Sequence, residues 1–239
     1  MKKINFVHVD GNNHVNPPEP ASKNIPEWYK KTQAYVEDAK IEDATVHNET
    51  TATIKRCMPV FDAISSGYML KTPTDFYIVQ KENEDTGEIA PHYYWPSGPG
   101  IEIHPRGQAE VYPLHLGSKA GIPKFVNDWI IETPPGYSCL FIPPIHHDLP
   151  FTVFSGVVDT DKYHGAINFP FMLKDINYEG TIPAGTPMVQ VIPFKRDSWT
   201  MNTENNEKTI IKAKKDLSLL RSVFYSSYKK FFRQSKVYK

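Results

Sequence analysis

The sequence predicts a β-dominated fold with a short helix near its start and an amphipathic helix at its end. Three observations lead to this prediction. The 21 prolines are spread through the chain and argue against long helices. Short apolar stretches separated by turn residues fill residues 53–200. Only the last thirty residues show a sustained helical periodicity. We therefore divide the chain into 1–52, 53–200 and 201–239.

The N-terminal segment, 1–52, is predicted to be a loop followed by a short helix. Prolines and the pair Asn12-Asn13 break any regular element over residues 11–27. Pro26 suits the first position of a helix, and Trp28 and Tyr29 offer that helix a packing face. Residues 38–52 are polar and are predicted to form another loop.

The segment 53–200 is predicted to be the β-rich body. Glu84-Asp85-Thr86-Gly87 is typical of a hairpin turn. The predicted strands are short and bounded by glycine, proline and serine; they are Thr53–Phe61, Gly67–Leu70, Phe76–Lys81, Ile89–Trp95, Gln108–Leu114, Lys124–Glu132, Tyr137–Ile142, Phe151–Val158, Ala166–Leu173 and Met188–Phe194.

The C-terminal segment, 201–239, is predicted to be a basic amphipathic helix. Apolar side chains recur at three- and four-residue intervals along one face, at Leu217, Leu220, Phe224, Tyr228 and Phe231. From Lys208 to Lys239 there are ten basic residues and one acid, a net charge of +9, and the other 207 residues carry −9. We expect the apolar face to dock on the acidic body or on a neighbouring subunit. Binding to nucleic acid through phosphates is less favoured, and a membrane-surface role is conceivable.

Composition restricts the location and the chemistry of the protein. No apolar run approaches the roughly 20 residues that span a bilayer, and the first residues do not form a signal peptide. The two cysteines, Cys57 and Cys139, are too distant in sequence to indicate a metal pair or a disulfide framework. We expect a protein that is not secreted and lies in a reducing, cytoplasmic setting or in a virion.

Three motifs in residues 132–195 lie in an order that resembles the dUTPase and dCTP deaminase superfamily, which has a β-clip fold. They are Thr133-Pro134-Pro135-Gly136-Tyr137, Gly156–Gly165 and Gly180–Gln190. The resemblance covers about a quarter of the chain. It implies a β-clip core, and it implies a trimer by analogy, since active sites of the family lie between subunits. A homo-oligomer or a complex with a phage protein is therefore expected.

The resemblance also implies roles for particular residues. Asp159 would hold the attacking water as a base, with Asp161 as a supporting carboxylate. Tyr163 would pack on deoxyribose, and Gly165 and Gln190 are further ligand-binding candidates. Burial would raise the pKa of such a base toward neutrality. A nucleotide would be the ligand and Mg²⁺ the accompanying ion; the sequence supports no other cofactor.

Several departures from the family pattern favour a non-catalytic role. Lys162 is inserted between Asp161 and Tyr163. The family's Arg-Ser-Ser phosphate-binding turn is replaced by Pro143–Asp148, which contains His146 and His147. No glycine-rich arm follows at the C-terminus. Asp159 and Asp161 are alternate residues that follow the predicted strand Phe151–Val158. In an extended chain their carboxylates would share a face and could simply cap a tight turn before Gly165.

Three short segments spread along the chain carry a second resemblance. Ile25–Lys30, Thr133–Ser138 and Pro193–Arg196 resemble a family of uncharacterised proteins of tailed bacteriophages and bacteria, which implies a source and no activity.

Two functional classes remain open. The first is a binding, structural or assembly protein of phage type. The second is a divergent nucleotide-acting hydrolase with Asp159 as base and His146, His147 or His164 as a substitute phosphate or metal ligand. We favour the first class. No protein metal site is predicted, because the histidines lack metal-ligand spacing and adjacent His146 and His147 would point to opposite faces of a strand.

Overall fold

Strands dominate the fold, as the sequence predicts. The computed structural model describes residues 2–11, 16–35, 53–82, 87–105, 107, 121–221 and 227–239. Each strand pairing found there is antiparallel. The strands are β1 Asn5–His8, β2 Glu19–Pro20, β3 Tyr68–Lys71, β4 Phe76–Glu82, β5 Ile89–Tyr94, β6 Ile101–His104, β7 Ile122–Phe125, β8 Trp129–Glu132, β9 Tyr137–Ile142, β10 Phe151–Val153, β11 Gly156–Val158, β12 Phe169–Leu173, β13 Gly180–Ile182 and β14 Pro187–Lys195.

These strands form four sheets. The largest has five strands in the order β11-β9-β14-β3-β2. A second sheet has the order β10-β12-β7-β6, a third β13-β4-β5, and β1 pairs with β8. The longest strand, β14, lies at the centre of the largest sheet, where it pairs with β9 on one side and with β3 on the other.

Compactness divides the chain into two units. The sheet unit comprises Met1–Asn24, Ser66–Arg196 and Tyr238–Lys239, and the helical unit comprises Ile25–Ser65 and Asp197–Val237.

An aromatic-rich core stabilises the sheet unit. Alternate residues of β12 are buried, because successive side chains of a strand point to opposite faces. Phe171 stacks on Phe125 with ring centroids 4.0 Å apart, and Phe151 contacts both rings edge-on. Burying each such ring contributes about 1.5–3 kcal/mol through the hydrophobic effect.

Most of the predicted strands that fall on described residues are confirmed, some with different limits. Tyr137–Ile142 is reproduced without change, and Glu82 pairs with Ile89 across the predicted hairpin. Two predicted strands are each divided: Lys124–Glu132 becomes β7 and β8, and Phe151–Val158 becomes β10 and β11. The predicted strand Gln108–Leu114 lies outside the described residues.

The predicted strand Thr53–Phe61 is wrong. Ile54–Arg56 is a 3-10 turn, and Met58–Ile64 is an α-helix, here α2. The Oγ1 atom of Thr53 accepts a hydrogen bond from the Lys55 N–H at 3.3 Å, which caps the turn. Pro59 occupies the first turn of α2, where a missing N–H costs nothing. The capping by Thr53 and the position of Pro59 therefore favour helical turns here, although β-branched residues in this segment favour a strand.

The helical unit contains the two helices predicted at the ends of the chain. Helix α1, Glu27–Lys31, begins one residue later than predicted, because Pro26 is its N-cap and not its first helical residue. Helix α3 spans Glu207–Arg221, and a helical turn of wide, π type spans Tyr228–Phe232. Of the predicted apolar stripe, Leu217 and Leu220 lie in α3, Tyr228 and Phe231 lie in the turn, and Phe224 lies outside the described residues. No helix in the described part of the chain is both long and apolar enough to cross a membrane.

Candidate functional site: the turn at Asp159 and Asp161

The candidate site lies at one edge of the five-stranded sheet, where three neighbouring strands begin or end. Strand β11 ends at Val158, which pairs with Cys139 of β9. Strand β14 ends at Lys195, which pairs with Tyr137 at the start of β9. The turn that follows β11 therefore lies close to the first residues of β9 and to the residue that follows β14.

Residues 159–163 form a turn that begins directly after the predicted strand Phe151–Val158 ends. The N–H groups of Lys162 and Tyr163 both donate to the Asp159 carbonyl oxygen, at 2.8 and 2.9 Å. The chain thus leaves the extended conformation directly after Val158. Lys162 lies within this turn, after Val158, the last paired residue of β11.

Asp161 is held by an arginine from the end of β14. Its carboxylate forms a two-point ion pair with Arg196, at 2.7 Å from Nη1 to Oδ1 and 2.5 Å from Nη2 to Oδ2. The Gly136 N–H also donates to Oδ2, at 2.8 Å. The side chain is only 1% exposed. The hydrogen bonds from Arg196, aided by the one from Gly136, lower the pKa of Asp161 to about 2 against the opposing effect of burial.

Asp159 shares the same arginine. Its Oδ1 atom accepts a hydrogen bond from Ser138 Oγ at 2.6 Å and lies 3.2 Å from Arg196 Nη1. Unlike that of Asp161, its side chain is 59% exposed. The Ser138 hydrogen bond, followed by Arg196, lowers the pKa of Asp159. The expectation that burial raises this pKa is wrong, because the side chain lies at the surface beside a cation.

Tyr163 and Gly165 pack on each other next to the turn. The Tyr163 ring lies over Gly165, so a Cβ atom at position 165 would come within 2.7 Å of the ring carbon Cζ. The Tyr163 hydroxyl lies 3.4 Å from the Ala166 carbonyl oxygen, and half of the side chain is exposed. Glycine at 165 is therefore explained by contact with the tyrosine.

Gln190 lies apart from the two aspartates and is fully buried. Its Oε1 atom accepts a hydrogen bond from the Ile145 N–H at 3.0 Å, and its Nε2 donates to the Ser66 carbonyl at 2.7 Å. Gln190 pairs with Ile142, at the opposite end of β9 from Tyr137. Six residues of strand, about 17 Å, separate the two ends.

His146 and His147 lie at that far end of β9 and do not join Asp159. Pro143 and Pro144 follow the strand, and the His147 N–H donates to the Pro144 carbonyl at 3.2 Å, which closes a turn. His146 has a positive φ of 59°. The expectation that the two rings point to opposite faces of a strand is therefore wrong, since this segment is not a strand.

The residues that bring the turn together were not identified as site residues from sequence. Arg196 and Ser138 stand in segments noted only for their resemblance to uncharacterised proteins. The sequence feature that could have identified Arg196 is its place directly after a strand. In the structure the Arg196 N–H donates to the Gly136 carbonyl at 2.9 Å. A pairing between β9 and β14 would have placed this guanidinium beside residues 136–138.

A metal site is not formed by the described residues. No group of three or more histidine, cysteine, aspartate or glutamate side chains in the described ranges is placed to hold an ion. His115 lies outside those ranges.

Comparisons with known proteins identify no family for this chain. No family model and no curated protein matches the chain. One similar solved structure is a substituted dUTPase of Staphylococcus bacteriophage 80alpha with dUpNHpp, at 11% identity. The similarity covers 59% of this chain and 76% of the dUTPase chain, with a TM-score of 0.30. A TM-score of this size is too low to carry an argument about function.

Proposed function

We propose that this chain is a non-catalytic binding or structural protein, built on a β-clip-like core, in which the aspartate motif closes a turn. The observation that carries the proposal is the engagement of both carboxylates by one guanidinium. Arg196 binds Asp161 at two points and also contacts Asp159. The turn after β11, the start of β9 and the end of β14 are thereby joined by charge-assisted hydrogen bonds.

The electrostatics of Asp159 argue against a role as general base. A base works best when its pKa lies near the operating pH, and both partners of Asp159 lower its pKa. Taking up a proton would weaken the Ser138 hydrogen bond and the contact with Arg196. The carboxylate is therefore better suited to hold the turn than to accept a proton from water.

The biological role we propose is that of a phage-type assembly, decoration or regulatory component. It would act as a homo-oligomer, with a trimer as the expected form, or with a phage protein as partner, in the host cytoplasm or in the virion. Light scattering on the purified protein tests the oligomer: a mass of about three chains supports a trimer, and a monomer removes that part of the proposal.

One observation favours a second candidate, a divergent nucleotide hydrolase that uses Mg²⁺. The side chains of Asp159 and Tyr163 are 59% and 50% exposed, so a ligand could reach both. In that function Asp159 would have to exchange its contact with Arg196 for a bound water.

A hydrolysis assay separates the two candidates. The purified protein is incubated with a panel of deoxy- and ribonucleoside triphosphates and Mg²⁺, alongside Asp159→Asn and the control Asp175→Asn. Asp175 is a suitable control because it is exposed and lies in none of the candidate segments. We expect no turnover from any of the three proteins. Turnover that Asp159→Asn abolishes and Asp175→Asn preserves would establish the hydrolase and refute the proposal.

A further inference from the structure

A cleft of about 440 Å³ lies within the sheet unit, away from the aspartate turn. It is bordered by the turn after β1 and by the link between β7 and β8. The Val9 N–H donates to the Asp128 carbonyl at 2.9 Å, which ties these two segments together. Sites for small molecules in proteins commonly have volumes of about 300–1,000 Å³, so the cleft has the size of a ligand site.

One wall of the cleft is apolar and well packed. Trp129 and Met188 line it and are only 8% and 1% exposed, and Pro99 adds a rigid edge. The His8 ring contacts the Trp129 ring edge-on, with centroids 5.0 Å apart. Buried side chains keep their positions without a ligand, so this wall is already formed.

The lining of the cleft also carries negative charge. Asp10 and Asp128 line it, and neither carboxylate forms a hydrogen bond or an ion pair with a residue in the described part of the chain. Lys71 also lines the cleft, but its ammonium group is bound to Glu19 at 2.7 Å. Burial raises the pKa of Asp128; His8 opposes this rise and Asp10 adds to it. Lys71 is therefore already paired, and His8 is the other group of the lining that can carry a positive charge near the two carboxylates.

We infer that this cleft binds a small organic cation, a primary ammonium group attached to an apolar body. The ammonium group would lie between Asp10 and Asp128, where it replaces mutual repulsion by two favourable contacts. The apolar body would pack on Trp129 and Met188. The amide side chain of Asn127, which is buried and donates to the Trp129 carbonyl at 2.8 Å, fixes the local conformation of the link that carries Asp128.

The test is a titration of the full-length, ¹⁵N-labelled protein with phenethylamine, followed by NMR. Phenethylamine carries an ammonium group on an apolar body, and 2-phenylethanol is its neutral counterpart. We expect saturable shifts of the Trp129 indole N–H and of the Asp10 and Asp128 amides with the amine. The alcohol should bind at least fivefold more weakly, because it cannot form the charged contacts.

Variants distinguish specific binding from general attraction of a cation to the protein. Asp128→Asn should weaken amine binding at least fivefold, whereas Asp148→Asn, which removes the same charge outside the cleft, should leave it unchanged. A melting curve of Asp128→Asn confirms that the fold persists. Equal binding of amine and alcohol, shifts outside the cleft only, or equal effects of the two variants would overturn the inference. Because the cleft is separate from Asp159, this result is independent of the hydrolysis assay.

Discussion

Replacing Gln190 by methionine should destabilise the sheet unit strongly, because this buried amide joins two loops to β14. The substitution keeps the length of the side chain and removes two hydrogen bonds, at 3.0 Å to the Ile145 N–H and at 2.7 Å to the Ser66 carbonyl. Leaving a buried main-chain group without its partner costs about 1–3 kcal/mol. We therefore expect the free energy of unfolding to fall by about 2–5 kcal/mol.

The assay is thermal and urea unfolding of the variant and the wild-type protein. In a chain of this length 1 kcal/mol corresponds to a shift in Tm of roughly 2–4 °C, so the expected decrease is at least about 4 °C. Gln234→Met makes the same chemical change at an exposed position and should shift the free energy by less than about 0.5 kcal/mol. The reasoning is refuted if the Gln190 variant is as stable as the Gln234 variant, which would leave position 190 available for a ligand.

Three other predictions concern the turn, the core and the helical unit. Asp161 has a folded pKa of about 2, below its unfolded value of about 3.9, so its contribution to stability is present above pH 4 and is lost as the pH falls through 2. The difference in Tm between the wild type and Asp161→Asn should thus be constant above pH 5 and shrink toward pH 2; a difference that does not change with pH would contradict this. Phe171→Ala should cost about 3–5 kcal/mol in urea unfolding, because it leaves a cavity against Phe125, whereas the partly exposed Phe194→Ala should cost far less. Arg233→Met should increase cleavage of the helical unit by proteases that do not cut after lysine or arginine. The reason is that Arg233 donates to the nearly buried Asp62 through Nε and Nη2, at 3.0 and 2.6 Å. Unchanged cleavage would contradict this and would show that Lys236 alone is enough to hold Asp62.

The parts of the fold that the sequence predicts are short apolar runs with clear boundaries. Tyr137–Ile142 is such a run and is bounded by Gly136 and Pro143, so its limits follow from neighbouring residues alone. Short strands such as β6 and β13 have too few residues to show a pattern. The link within Lys124–Glu132 arises from a tertiary contact: the Asn127 N–H donates to the Asn168 side chain at 3.1 Å, which no local pattern reveals.

The candidate site could be predicted only in part, for a similar reason. The turn residues 159–165 are contiguous, so their special composition is visible in the sequence. Arg196 is 35 positions from Asp161, and only the pairing of β14 with β9 brings them together. The pKa of Asp159 is lowered first by the hydrogen bond from Ser138 and then by Arg196, both distant in sequence, and the sequence-based expectation therefore had the wrong sign.

The account depends most directly on the protonation of Asp159 and Asp161, which carboxyl-detected ¹³C NMR measures residue by residue during a pH titration. We predict that both carboxylates titrate below the ordinary aspartate value of about 3.9, with Asp161 near 2. Arg196→Met should move both pKa values upward. An Asp159 that titrates near neutral pH would contradict the structural role proposed for the turn and would indicate a catalytic base.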